Sequence, residues 1–283
     1  MKLNKLIKFP DPENKKKFVI FNNGFLSKKK ILEYNENLEG WTEEHTNMHE
    51  DICNGNHPID IYSRKNLINN MPENIGRKTI LEIGCSSGYL IKDLKKKFKN
   101  ISYIGADVIR FSLLRLAKKY KKFPFLKFDL TKNPLKKLKF DYIIMLNVLE
   151  HIKDDCLAIK NTFKLLNKNG TIYIEVPAMP FLFDNYDRQL LHFRRYSMVD
   201  LINKLKLNGY TIVKKQHLGF FCFIPFALIK IFDKYFLKNK SSAKTKIQIS
   251  DNILIKFLFY LEERLSHLYY PLGVRCFVVA RKL

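Results

Sequence analysis

Between Thr79 and Lys215 the chain alternates apolar runs of strand length with segments whose apolar residues recur every three or four positions. That is the pattern of β-α-β units feeding a parallel sheet. Thr79 to Ile83 is the first clear strand, and its exit, GCSSG, leads into Tyr89 to Phe98, where Leu90, Leu94 and Phe98 share one helical face. Ile101 to Ala106 reads as a second strand, Phe111 to Tyr120 as a second helix, and Phe125 to Phe128 as a short third strand. The continuous apolar run Phe140 to Leu146 predicts a buried fourth strand, followed by a helix from about Lys153 to Leu166 that the Asn169-Gly170 turn stops. Thr171 to Val176 resumes the sheet, Ser197 to Leu207 has helical period and ends at Asn208-Gly209, Tyr210 to Lys215 is a sixth strand, and Val274 to Arg281 is the last. The expected fold is α/β, a doubly wound, seven-stranded, mostly parallel sheet.

Two regions fall outside this alternation. Residues 1–75 read as an N-terminal extension ahead of a core over 76–217. Residues 218–272 read as an insertion before the final strand at 273–283. The insertion opens with Leu218 to Ile229 (LGFFCFIPFALI), which carries no charge, and continues through a link, Lys230 to Lys246, with six lysines and one acid, Asp233, to the apolar run Ile253 to Leu261. The first run reaches only Phe232 and contains Pro225 and Lys230, short of the about 20 apolar residues that span a bilayer. Apolar segments flanking a lysine-rich link instead suggest an in-plane anchor over 218–261 on an anionic membrane surface, or a greasy wall over a lipid-like acceptor. The plain alternative is a pair of helices packed on the sheet.

Composition is ordinary for a globular protein, 46% apolar and 28% charged, which excludes collagen-like, disulfide-scaffold and wholly disordered classes. The balance of charge is not: 51 Lys+Arg against 27 Asp+Glu leaves +24. Such a surface favours anionic partners, although a lysine-rich genome would produce it without one. Five scattered cysteines form no C-x-x-C pair and fit a reducing cytosol. The N-terminus lacks an apolar h-region, so the expected location is cytoplasmic, peripheral at the inner membrane face if the anchor operates.

The strongest chemical signal is the turn after the first strand. A tight glycine turn there lets a ligand approach the backbone beside a helix N-terminus. Glu82-Ile-Gly84-Cys85-Ser86-Ser87-Gly88 is neither the G-x-G-x-x-G of dinucleotide sites nor a P-loop. It resembles the first motif of class I S-adenosylmethionine-dependent methyltransferases, acid-x-Gly-x-Gly-x-Gly, with Glu82, Gly84 and Gly88 matching. Ser86 replaces the middle glycine, so the loop is expected to do without positive φ there. The resemblance implies a Rossmann-like fold with S-adenosyl-L-methionine as cofactor, and makes the N-terminal extension a lid over cofactor and acceptor. It further implies that Asp107, ending the second strand, accepts the ribose hydroxyls, that Asp129 and Leu130 (KFDL) lie at the adenine, and that Asn147 (LNVLEHI) stands at the carboxyl edge of the fourth strand. From about residue 45 onward the chain is similar to a bacterial subgroup of small-molecule methyltransferases found among cell-surface polysaccharide and lipid genes.

Methyl transfer to a hydroxyl calls for a positioned acceptor and a proton acceptor, and histidine is the default base at neutral pH. His151 follows the fourth strand and His192 lies in HFRRY with Arg194, Arg195 and Tyr196 beside it. Each histidine reads as base or acceptor-orienting group, or else as a packed or capping residue. The arginines suit an anionic acceptor, held bidentately, or an ordinary salt bridge to Asp184 or Asp187. Upstream, His45, His49, His57, Glu50 and Asp51 resemble a metal cluster by composition but lack ligand spacing, and no metal is assigned. A nucleic-acid methyltransferase is the rival suggested by charge, yet NVLEH is not the Asn/Asp-Pro-Pro-aromatic of base-gripping enzymes. A cofactor-binding scaffold without catalysis is the third reading. The expectation is methyl transfer, at oxygen, to a small or lipid-linked acceptor.

Overall fold

The computed structural model describes residues 7–13, 17–22, 25–26, 31–34, 42–46, 55–132, 135, 138–235, 253–266 and 268–283. In chain order the strands are Ile7–Pro10 (β1), Phe18–Asn22 (β2), Phe25–Leu26 (β3), Leu32–Glu33 (β4), Thr79–Ile83 (β5), Ser102–Asp107 (β6), Phe125–Lys127 (β7), Phe140–Leu146 (β8), Leu166–Pro177 (β9), Thr211–Leu218 (β10) and Arg275–Arg281 (β11). The helices used below are Pro58–Asn69 (α1), Tyr89–Lys97 (α2), Arg110–Lys119 (α3), Asp155–Leu165 (α4), Asn185–Gln189 (α5), Met198–Leu207 (α6), Phe223–Tyr235 (α7) and Ile253–Arg264 (α8), with a 3-10 turn at Leu149–His151.

The main sheet runs β10-β11-β9-β8-β5-β6-β7-β4. All neighbours are parallel except β11, which enters antiparallel to both β9 and β10. Seven strands are those the apolar pattern predicts. The eighth, β4, comes from the N-terminal region and pairs Leu32 with Leu126 and Glu33 with Lys127. Two residues with one acid carry no strand pattern, so only a neighbour's open edge makes them one. From β5 the chain winds outward through β6 and β7, then returns to β8 on the other side of β5. The carboxyl ends of β5 and β8 therefore part where the winding reverses, the crevice in which open α/β sheets bind ligands.

Alternation along each strand sends side chains to opposite faces and builds two cores. Leu81, Ile143, Met145, Ile172, Ile174 and Val278 face one side under α4 and α6, where Ile159 and Leu201 meet them. Ile80, Ile144, Tyr173 and Phe277 face the other, packed by Leu67 of α1, Leu94 of α2, Leu116 of α3 and Phe259 of α8. Each such side chain fully buried contributes about 1.5–3 kcal/mol. Helix α1, though upstream of residue 75, thus shares a core with the sheet, and β1–β3 form a separate small antiparallel sheet. The link at 236–252 and the trio His49, Glu50 and Asp51 lie outside the described residues.

On the α4 side Asp155 joins three elements. Its Oδ2 accepts from Tyr196 Oη at 2.8 Å and Lys204 Nζ at 2.6 Å, and pairs with Arg194 Nη1 at 2.8 Å. Burial alone would raise its pKa, but the Lys204, Tyr196 and Arg194 donors outweigh it and hold the carboxyl low. A carboxylate depressed in the fold adds stability above its unfolded pKa of about 4 and loses it as pH falls through the folded value. Asp155→Asn should cost about 2 kcal/mol at neutral pH, and the difference in thermal midpoint from the parent should shrink as pH falls below about 4. A difference independent of pH would contradict this.

Candidate active site

The GCSSG turn is bolted to its neighbour strand. Gly84 N–H and Cys85 N–H both donate to the Ala106 carbonyl, at 2.8 and 3.0 Å, and Gly88 N–H closes back on Cys85 O. Gly84 has φ +77, and a Cβ there would lie 2.4 Å from Val148 Cγ2. Gly88 has φ +75, and its Cβ would meet Leu116 Cδ2 at 2.4 Å, so this glycine serves the packing of α2 on α3. Ser86 corrects the expectation from its side chain: it adopts φ +40. A left-handed non-glycine residue costs about 1–2 kcal/mol, offset here by the Ser86 N–H bond to Asp107 Oδ2 at 2.8 Å.

Asp107 is buried at the tip of β6 and takes a second backbone bond from Ile109 N–H at 3.0 Å on Oδ1. Burial raises its pKa, and the bonds from Ile109 and Ser86 oppose that rise. Each oxygen keeps acceptor capacity for a ligand hydroxyl. Glu82 sits behind the loop, accepting from Tyr103 Oη at 2.5 Å, and burial pushes its pKa up to about 8. Asp129 turns onto Thr131, whose N–H and hydroxyl reach Oδ1 at 2.8 and 2.7 Å. Asn147, with φ +52, ends β8 and donates its backbone N–H to Glu175 O at 2.9 Å. Glu82, Gly84, Cys85, Ser86, Asp107, Asp129, Leu130 and Asn147 all line one cleft of about 1330 Å³; Gly88 does not. A single small-molecule site occupies roughly 300–1,000 Å³, so the cleft has room for two ligands side by side. The acid at the β6 tip, the glycine turn and the adjoining apolar side chain of Leu130 fit a nucleoside carrying a charged tail.

The far end of the same cleft is polar. His192 Nδ1 lies 2.9 Å from Asp187 Oδ1. Burial would raise the Asp187 carboxyl, but His192, Arg195 and Lys230 hold it far below the usual range. An ionised carboxylate only accepts, so Nδ1 of His192 carries the proton and Nε2 keeps its lone pair. Burial also lowers the His192 pKa, against the opposing pull of Asp187, which favours the neutral ring. His151 stands beside it, the two rings 4.7 Å apart at 73°. Near them Glu150 is fully buried, and neither of its carboxylate oxygens has a hydrogen-bond partner among the described residues. Burial pushes its pKa up to about 8; an unpaired buried carboxylate otherwise costs several kcal/mol.

Arg195 lines the cleft, but its guanidinium is committed to Asp187, Nε at 2.9 Å and Nη2 at 2.8 Å, and to Ala178 O. Arg194 goes to Asp155 and Lys153 O instead. Tyr196 lies outside the cleft with no exposed surface, its hydroxyl on Asp155 and on Leu149 O at 3.3 Å, where it props the turn carrying Glu150 and His151. The sequence expectations give Glu150 no role, take Asp187 only as a salt-bridge partner of the arginines, which Arg195 bears out, and take Lys230 only as the charge that interrupts an apolar run. Lys230 Nζ is buried against Asp187 Oδ2 at 2.7 Å and Asp184 Oδ1 at 2.8 Å. Its signal was visible, the single charge in the run from Leu218 to Phe232. Phe226 and Ile229 of α7 with Leu254 and Leu258 of α8 wall the cleft with apolar surface. Among the described residues no helix is long and apolar enough to cross a membrane.

A family profile described as methyltransferase domain matches residues 59–236. The chain belongs to the methyltransferase-domain family. It is 30% identical over 159 residues to the ubiquinone biosynthesis O-methyltransferase of Pelagibacter ubique, covering 53% of this chain and 64% of that protein. It is 28% identical over 140 residues to the tRNA U34 carboxymethyltransferase of Campylobacter jejuni, covering 47% of this chain and 46% of that one. The chain thus spans about half to just under two thirds of these relatives. Among solved structures, an S-adenosylmethionine-dependent methyltransferase from Archaeoglobus fulgidus superposes with a TM-score of 0.55 at 18% identity, over 85% of this chain and all of that one. The N-methyltransferase NodS of Bradyrhizobium japonicum, solved with S-adenosyl-L-homocysteine, gives 0.51 at 15% identity, over 85% and 99%. These likenesses show that the fold is the Rossmann-like fold of S-adenosylmethionine-dependent methyltransferases.

Gly84→Ala should weaken S-adenosylhomocysteine binding at least tenfold by calorimetry, because the new Cβ meets Val148 on a left-handed backbone. Parental affinity would remove the turn from the cofactor site.

Proposed function

We propose that the protein transfers a methyl group from S-adenosylmethionine to a hydroxyl of a small or lipid-linked acceptor, saccharides included. The observation that carries this reading is a single cleft joining the glycine turn and Asp107 to the His151–His192 end beneath the apolar wall of α7 and α8. When bound, the cofactor supplies a methyl carbon made electrophilic by its sulfonium. Asp107 and the turn fix the nucleoside, and the apolar wall excludes water around the reacting groups. Holding acceptor and donor in line is worth about 7–11 kcal/mol. His192, its ring oriented by Asp187, presents the Nε2 lone pair to take the acceptor's proton, and Glu150 and His151 complete the polar end.

The apolar wall also supports a lipid-like acceptor reached from a membrane surface. On α7, Phe223, Ala227 and Lys230 turn inward while Ile224 and Leu228 stay largely exposed. On α8, Ile253 and Phe257 are likewise exposed. Apolar side chains facing outward next to a lysine-rich link suit an anionic leaflet. The likeness to a tRNA-modifying enzyme and the +24 charge make RNA the competing acceptor.

Labelled methyl from S-adenosylmethionine, offered to a host extract with Gly84→Ala as blank, should enter the lipid or soluble-saccharide fraction; label in RNA would overturn the acceptor assignment. His192→Ala should cut turnover by about 10²–10⁴ with cofactor affinity unchanged, and a parental rate would remove His192 from the chemistry. Ile224→Asp with Leu228→Asp should reduce binding to anionic liposomes, and undiminished binding would reject the anchor.

A further inference from the structure

We propose that Glu150, His151 and His192 form a site for one divalent transition-metal ion of the Zn²⁺ class at the acceptor end of the cleft. One potential ligand atom from each lies within 4.8 Å of the others. Donors 2.0–2.2 Å from a common ion lie at most about 4.4 Å apart, so small side-chain rotations complete the set.

Three independent features point to a cation there. Glu150 is wholly buried, lines the cleft, and neither carboxylate oxygen has a hydrogen-bond donor among the described residues. Buried polar groups are ordinarily satisfied, so an orphaned carboxylate facing a cavity marks a missing partner. His192 is held through Nδ1 by Asp187, the carboxylate–imidazole arrangement that fixes ring orientation and strengthens the other nitrogen as a ligand. The frame is rigid: Phe193 N–H donates to Glu150 O at 2.8 Å, tying the His192 segment to the turn that carries Glu150 and His151. Nearby cations do not exclude an ion, because each is already matched. Arg195 and Lys230 sit on Asp187 and Asp184, and Arg275 sits on Glu175 and Asp60.

Two imidazoles and one carboxylate suit zinc, iron or cobalt, whereas magnesium and calcium prefer an all-oxygen shell. Three protein donors leave positions open for a ligand oxygen. The ion site stands on the geometry around Glu150, His151 and His192; its use rests on the proposed function. There the ion would take over the activation of the acceptor from His192, whose lone pair would be spent on the metal: it would hold the acceptor hydroxyl and lower its pKa so that the proton is lost to solvent water as the acceptor binds, and the oxygen would take the methyl as the carbon–sulfur bond breaks and S-adenosylhomocysteine leaves.

The test uses the full-length chain without a histidine tag, stripped with chelator and dialysed against Co²⁺, Zn²⁺ or Mg²⁺. The expected result is one equivalent of Co²⁺ or Zn²⁺ per chain, a cobalt d–d absorption band, and no competition from equimolar Mg²⁺. Glu150→Gln should weaken that binding at least 100-fold, with S-adenosylhomocysteine affinity retained as the check on folding; His151→Ala serves if that variant does not fold. No stoichiometric metal in the parent, or an equivalent kept by the folded variants as an adventitious ion, would overturn the site. Turnover undiminished after stripping would leave methyl transfer intact, return the proton to His192 and refute the ion's role. Absence of turnover with every fraction, metal present, would instead count against the proposed function alone.

Discussion

Asp187 is the interaction on which the acceptor end depends. Its carboxylate has no exposed surface, yet accepts from Asp184 N–H, His192, Arg195 and Lys230. These groups come from the N-cap of α5, the segment after it, and α7, so one anion gathers the cleft floor and its apolar roof. Removing one partner of such a buried set typically costs 3–5 kcal/mol, because the charges left behind cannot reach water. The arrangement also dictates chemistry: an ionised acceptor at Nδ1 decides which nitrogen of His192 faces the cleft. Arg195, adjacent in sequence to the histidine segment, acts through Asp187 rather than on a ligand.

The cofactor end relies on backbone rather than on buried charge. Ser86 and Asn147 hold left-handed conformations at the tips of β5 and β8, and Leu191 does the same one residue before His192. Such conformations persist only where surrounding bonds over-determine them, and they gather at functional sites. The Ser86 bond to Asp107 shows how: the side chain proposed to receive the ribose hydroxyls is the one that stabilises the turn beside it.

Much of this was legible in the sequence, and the reasons are physical. Strands buried on both faces appear as continuous apolar runs, so β5, β8 and β9 stood out; β9 begins at Leu166 and not at Thr171 because Leu166 already pairs, in parallel, with Phe140 of β8. The acids at strand tips were found because a doubly wound sheet puts them at one edge. β4 was hidden because two residues have no periodicity. Tyr196 was grouped with His192 by proximity along the chain, but the backbone there turns its ring into the α4 core. Lys230 was counted with a basic link, whereas the helix period places it inward with Phe223 and Ala227. Glu150 has no signal beside His151, since only the fold reveals that its carboxylate is buried without a donor among the described residues.

The most direct test of the account is a crystal structure with S-adenosylhomocysteine. The ribose hydroxyls should lie on Asp107, the amino-acid tail against the glycine turn, and the sulfur facing the Glu150–His192 end beneath α7. A ligand bound elsewhere, or one whose sulfur points away from His192, would contradict it.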